Sequence, residues 1–222
     1  MSKETYIWLS HVLDVNTPLY GGGTDWECIK DKDIQKGDSC NTSRLLLPSH
    51  TGTHVDAPLH FIEDGIAIEE YAVEDWIFKH PSLVFVDPEK GGLIKPGDLN
   101  IKKNEKTDIV LFCTSFEKFR HDEIYWKENP GIATEMADYL LDQYPNLKAI
   151  GMNFISISSF KHRDVGRLSH KAFLGKGIRI IEDMHLLALQ PGDVIKSIMV
   201  LPLRFKAGDG APCTIIAQRA VI

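Results

Sequence analysis

The amino-acid sequence predicts one mixed α/β domain spanning 1–222, and three observations carry that expectation. The 222 residues can build one sizeable hydrophobic core, and nowhere do they offer a linker to a second one. Short apolar runs bounded by turn residues recur through most of the chain, which is the pattern of strands rather than helices. Two segments depart from that pattern with helical signals.

In order, strands are expected over Tyr6 to Leu9, Ser43 to Leu47, Leu83 to Val86, Ile109 to Cys113, Ala149 to Phe154, Ile178 to Ile181, Val194 to Val200 and Thr214 to Arg219. The first helix is expected over about Thr134 to Tyr144, where Met136, Leu140 and Leu141 share a face with Ile132 and Pro145 stops the run. The second is expected as a short turn after Ser169 that runs into Phe173 and Leu174. Turns are marked by Gly21-Gly22-Gly23, Lys90-Gly91-Gly92, Pro96-Gly97-Asp98, Pro191-Gly192-Asp193 and Gly208-Asp209-Gly210. The glycine triplet lacks both the GxGxxG spacing and the following helix that a phosphate loop needs.

Hydrophobic residues make up 43% of the chain and charged residues 25%, which is enough apolar content to fold rather than stay disordered. A net charge of -6 with no basic run removes the counterion-release drive that nucleic-acid binders use. No run of about 18 apolar residues occurs, so no transmembrane helix is expected. The segment MSKETYIWLSHVLD is acidic and interrupted, unlike a secretory signal, and a cytoplasmic location is the expectation. Cys28, Cys40, Cys113 and Cys213 lack CxxC spacing and are expected as free thiols, with Cys113 in the core.

Chemistry concentrates in the segment from Ser49 to Phe61, which places His50, His54, Asp56 and His60 within eleven residues. Imidazole and carboxylate together suit first-row metal ions. A helix would scatter these side chains around its cylinder and would break at Pro58. A straight strand would align them but spread His50 and His60 roughly 33 Å apart. A bent loop leaving the strand at Leu47 meets both constraints, with Gly52 supplying the bend and Ala57 held extended by the proline after it. Thr51 and Thr53 are expected to serve the turn.

This segment resembles the signature HxGTHxDxPxHF of the cyclase family of metal-dependent hydrolases, which includes kynurenine formamidases and isatin hydrolases. The likeness extends to DIVLFCTSFEKF at 108–119, Asn129-Pro130-Gly131, Ser169-His170, GIRIIE at 177–182, and Leu201-Pro202-Leu203 with Gly210-Ala211-Pro212. It implies a swivelling β/β/α single domain with a barrel-like mixed sheet, assembled as a homodimer or homotetramer. It implies that His50, His54 and Asp56 bind a first metal, that His170 and Glu182 belong to a second, and that Asp56 and Glu182 bridge them. His60 takes the role of proton donor or acceptor. Read alone, His170 fits a helix-end cation and Glu182 a surface carboxylate equally well.

The implied cofactor is a divalent metal, zinc with manganese as the alternative, in one or two ions. The implied activity is hydrolysis of a small-molecule amide at a C–N bond other than a peptide bond, arylformamidase-like and of the N-formylkynurenine type. Two alternatives stand beside it: a ring-opening hydrolase of a cyclic amide of the isatin type, and a metal-binding protein without catalysis. Formamidases of the family carry a tryptophan after a Thr-Pro-Leu-like stretch, whereas here Tyr20 follows Thr17-Pro18-Leu19 and becomes the expected substrate-binding aromatic. Asn153 replaces a common family aspartate, with a place in the pocket wall or the core.

Overall fold

The computed structural model describes residues 4–23 and 26–220. Its strands, in chain order, are β1 (Glu4–Trp8), β2 (Glu27–Lys32), β3 (Thr42–Leu46), β4 (His54–Asp56), β5 (Ile77–Phe78), β6 (Pro81–Phe85), β7 (Leu93–Ile94), β8 (Ile109–Cys113), β9 (Gly131–Ile132), β10 (Ala149–Met152), β11 (Arg179–Glu182), β12 (Ile195–Pro202) and β13 (Gly210–Ala220). Among the described residues three α-helices accompany them: α1 (Ile124–Lys127), α2 (Met136–Gln143) and α3 (Arg163–Leu174).

Among the described residues, nine strands form one mixed sheet in the order β5-β12-β13-β4-β11-β10-β8-β6, with β1 also on β13. Strands β6, β8, β10 and β11 run parallel, while β4 is antiparallel to both β11 and β13. The two edges of that order, β5 and β6, are joined by only Lys79 and His80, whose N–H groups both donate to the Asp108 carboxylate. This short tie draws the sheet into a nearly closed, barrel-like shape.

Side-chain alternation divides the interior in two. Ile109, Leu111 and Cys113 of β8 pack inside the curved sheet with Val55, Ile181, Ile198 and Ala211. Val110 and Phe112 of the same strand face outward against Met136, Ala137 and Leu140 of α2 and Phe173 and Leu174 of α3. A strand buried on both faces reads as a continuous apolar run, and all of β8 is buried.

Two expectations are corrected and one strand is added. The short turn after Ser169 is the end of a twelve-residue helix, α3. Its buried stripe is Gly166, Ser169, His170, Phe173 and Leu174, helical in spacing but with three of the five small or polar, so apolar periodicity is silent there. Gly166 allows the close approach, because a Cβ there would lie 2.6 Å from Ser158 Cα. The segment from His50 to His60 is not loop throughout: His54–Asp56 form β4, followed by a 3-10 turn over Pro58–His60. Finally, β2 pairs with β3 as a hairpin exposed along its length, and the polar sequence ECIKDK gave no strand signal.

Candidate metal centre

The bend that the motif requires occurs at Gly52, whose φ of 60° is left-handed, and Ala57 is extended at φ -95°, ψ 159°. Between them β4 turns His54 and Asp56 to one face and Val55 to the other. Register sets Glu182 of β11 opposite His54 and Ile180 opposite Asp56, so Glu182 joins that face. Helix α3 brings His170 over it. One cavity of about 300 Å³ is lined by His50, His54, Asp56, His60, His170 and Glu182, together with Tyr20, Phe61 and Arg163.

Orientation of the rings follows from backbone acceptors. His54 donates Nδ1–H to Gly52 O at 2.8 Å, and His170 donates Nδ1–H to Gly166 O at 2.8 Å. Each Nε2 is thereby left to face the cavity as a lone pair when the ring is neutral. His54 Nε2 lies 3.5 Å from Asp56 Oδ1 and 3.5 Å from Glu182 Oε2. His170 Nε2 lies 3.4 Å from Asp56 Oδ2 and 3.5 Å from Glu182 Oε1. Each carboxylate thus offers one oxygen to each histidine, an arrangement of two adjoining donor sets with Asp56 and Glu182 common to both.

His50 completes the first set, with Nδ1 2.9 Å from Asp56 Oδ1. Its other nitrogen, Nε2, is held by Asp209 Oδ2 at 2.8 Å. Gly210 makes room for this ring, because a Cβ at 210 would fall 2.4 Å from His50 Cε1. His60 lies against His50 with ring centroids 3.9 Å apart and planes tilted by 31°, and it donates Nδ1–H to Asp209 Oδ2 at 3.1 Å. Phe61 stacks on His170 at 4.4 Å.

The donor set fits a divalent cation on three grounds. Ligands of a tetrahedral ion with bonds of about 2.0–2.1 Å stand roughly 3.3 Å apart, close to the separations found here. Asp56 Oδ2 is buried and has no hydrogen-bond partner, although a buried carboxylate oxygen needs one. Two carboxylates and three imidazoles form a mixed oxygen and nitrogen set suited to first-row metals.

Without a cation, protons hold the cluster together. Burial opposes the charge on His50, yet hydrogen bonds to Asp56 and Asp209 raise its pKa to about 9. Burial likewise opposes the charge on His170, and Asp56 and Glu182 outweigh it, raising the pKa to about 10. Burial disfavours the Asp56 carboxylate, but His170 and His50 pull its pKa well below the ordinary value. For His60, burial dominates and lowers the pKa, with Asp56 and Asp209 acting in the opposite direction.

Glu182 is braced from behind. Ser156 Oγ donates to Oε1 at 3.1 Å and the Ile157 N–H at 2.7 Å. Next in the chain, Asp183 has a φ of 49°, unusual for a residue with a side chain. It is held there by Arg120, at 2.9 and 2.7 Å, and by the Tyr125 hydroxyl at 2.5 Å. Such a conformation costs on the order of 1–3 kcal/mol and persists only when its surroundings over-determine it.

All the candidate residues read from sequence meet in this cavity, Tyr20 included; its ring edges onto Phe160 at 5.7 Å. In the sequence Asp209 is only a turn residue between two glycines, and no local signal ties it to histidines 159 and 149 positions away. Asn153 belongs to the core, where it bonds Thr114 and Glu117. Thr51 donates to Pro48 O and Thr53 to Asp183 O, both structural bonds.

The Cyclase family model matches residues 7–159. A kynurenine formamidase from Erythrobacter litoralis is 30% identical over 97% of this chain and 95% of its own length. Isatin hydrolase A from Labrenzia aggregata, bound to benzyl benzoate, superposes with a TM-score of 0.79 over 98% of this chain and 94% of that one, at 20% identity. A predicted metal-dependent hydrolase from Bacillus stearothermophilus gives 0.73 over 98% and 99%, at 22% identity.

Proposed function

Because the chain belongs to the Cyclase family of metal-dependent hydrolases, we propose that it holds two divalent cations on His50, His54, Asp56, His170 and Glu182 and hydrolyses an aryl formamide of the N-formylkynurenine type. It is an amidohydrolase acting on a non-peptide C–N bond. The observation that carries the two-ion reading is the way Asp56 and Glu182 each turn one oxygen to His54 and the other to His170. Zinc is the proposed metal, with manganese second given the carboxylate share. When bound, a divalent cation supplies Lewis acidity, polarising an amide carbonyl and making water a better nucleophile near neutral pH.

The residues around the donor set do the rest. Asp209 holds the proton on His60 Nδ1, which leaves Nε2 free to accept one. A neutral His60 takes the proton from attacking water and returns it to the departing nitrogen. Tyr20 and Phe61 flank the opening with aromatic faces for an aryl ring. A structural cation site is closed, whereas this one adjoins a cavity and a spare histidine, which favours catalysis over metal storage. We also propose a homodimer, supported by the exposed Ile29, Leu45 and Leu46 of the β2–β3 hairpin. Among the described residues no helix is long and apolar enough to cross a membrane, and a cytoplasmic location is proposed.

The test is metal analysis of protein purified without added metal, followed by hydrolysis assays on N-formylkynurenine, isatin and formanilide. Turnover of the two formamides is expected, and His60→Ala should keep the metal while losing most of that turnover. Turnover of isatin alone would shift the assignment to ring opening, and no turnover by the metal-replete protein would overturn it.

A further inference from the structure

A different donor cluster lies behind β4. Thr53 and His54 are consecutive, so their side chains leave the chain on opposite sides. While His54 faces the cavity described above, Thr53 Oγ1 accepts the N–H of His11 at 2.9 Å. His11 follows β1, His185 follows β11, and the His185 N–H donates to Leu9 O at 3.0 Å, which draws the two histidines together. Their ring centroids are 4.9 Å apart. Between them stands Glu117, from the 3-10 turn Ser115–Phe119, only 3% exposed.

Glu117 is aimed at these two rings. Its Oε2 accepts from the N–H groups of Leu186 and Leu187 at 2.8 and 2.9 Å and from Asn153 Nδ2 at 3.0 Å. That oxygen is saturated. Oε1 lies 2.7 Å from His185 Nδ1 and 3.4 Å from His11 Nε2. A purely structural role accounts for Glu117 and His185 as a buried hydrogen-bonded pair, but it leaves His11 Nε2 buried without a hydrogen bond.

We propose that His11 Nε2, His185 Nδ1 and Glu117 Oε1 form an additional cation site, separate from the proposed catalytic centre, for a first-row divalent ion such as zinc or cobalt(II). Two imidazoles and one carboxylate select such ions over magnesium or calcium. The 3.4 Å between His11 and Glu117 already matches the roughly 3.3 Å ligand spacing of a tetrahedral ion. His185 Nδ1 stands closer to Glu117 Oε1, at 2.7 Å, and the His185 ring, 41% exposed, has room to withdraw by about half an ångström to the same spacing. Burial keeps His11 below its ordinary pKa and so available as a neutral ligand. The fourth position opens on a cavity of about 960 Å³ walled by Trp8, Val12, Leu13, Leu201 and Leu203, which shares no lining residue with the catalytic cavity.

Cobalt(II) titration of chelator-treated protein, followed by visible absorption, tests this. The wild-type chain should take up one equivalent more than His11→Ala and His185→Ala, and both variants should hydrolyse the amide substrate at the wild-type rate. In a His54→Ala/His170→Ala variant that equivalent should persist, so the outcome does not depend on the proposed catalytic centre. Equal uptake by wild type and both single variants, with circular dichroism showing all three folded, would overturn the proposal. So would its absence from a folded His54→Ala/His170→Ala protein; if that protein does not fold, the single variants decide.

Discussion

Asp209 Oδ2 lies 3.1 Å from His60 Nδ1 and 2.8 Å from His50 Nε2, so one carboxylate oxygen ties both rings. The first contact favours protonated His60 and opposes the downward push of burial on its pKa. Asp209→Asn removes the negative charge, so the pKa of His60 falls and the acid limb of the kcat/KM profile moves to lower pH. Turnover should drop by about 10- to 100-fold, the usual effect of losing an orienting partner. An unchanged rate and an unchanged acid limb in a pH–rate series would remove Asp209 from the site.

Gly210→Ala should weaken the centre without replacing a ligand. The new Cβ would lie 2.4 Å from His50 Cε1 and 2.9 Å from both ring nitrogens, and that ring cannot swing away freely because two carboxylates hold it. Cation affinity is expected to fall about 10- to 100-fold, and folding stability by about 1–3 kcal/mol from overpacking. Isothermal titration and thermal melts measure both quantities, and wild-type affinity in the variant would contradict the assignment of His50.

Cation uptake should release protons. In the cation-free protein His50 and His170 titrate near 9 and 10, so both are charged at pH 7 and must lose a proton to act as ligands. Affinity should therefore rise with pH and flatten above about pH 10. Calorimetry in buffers of different ionisation enthalpy reads the protons directly; heats independent of buffer would show that ion uptake displaces no proton from these histidines.

Thiol reactivity should divide the cysteines in two. Cys28 is exposed and Cys40 partly so, whereas Cys113 and Cys213 are buried. Burial pushes Cys113 up to about 12, so at pH 8 only about one molecule in 10,000 carries its thiolate, and Cys213 is raised further. A disulfide reagent should label Cys28 and Cys40 in the native protein and the other pair only after denaturant. Rapid native labelling of Cys113 would mean that the curved sheet opens readily.

The parts of this molecule legible in sequence are those whose signals are local. β8 was readable to the residue because its run is apolar on both faces, and the bend at Gly52 followed from the distance between His50 and His60. Helix α3 was understated because its buried stripe uses Gly166, Ser169 and His170 where apolar residues would announce a helix. His170 and Glu182 became candidates only through family resemblance, since nothing near them in the chain points to His54 or Asp56. Asp209 and the Arg120–Asp183–Tyr125 brace escaped altogether, because their partners are close only after the sheet forms.

The position of β4 has a consequence for the order of assembly. This three-residue strand has both its neighbours, β11 and β13, far downstream, and Cys213 N–H reaches back to Thr53 O across 160 positions. During synthesis β6, β8 and β10 can begin to pair while the histidine motif is still waiting for its strands. Contacts of such long range form late. Ion capture by a refolding chain should then trail the recovery of secondary structure, and the donor set would act as a lock on the finished sheet rather than a seed for it.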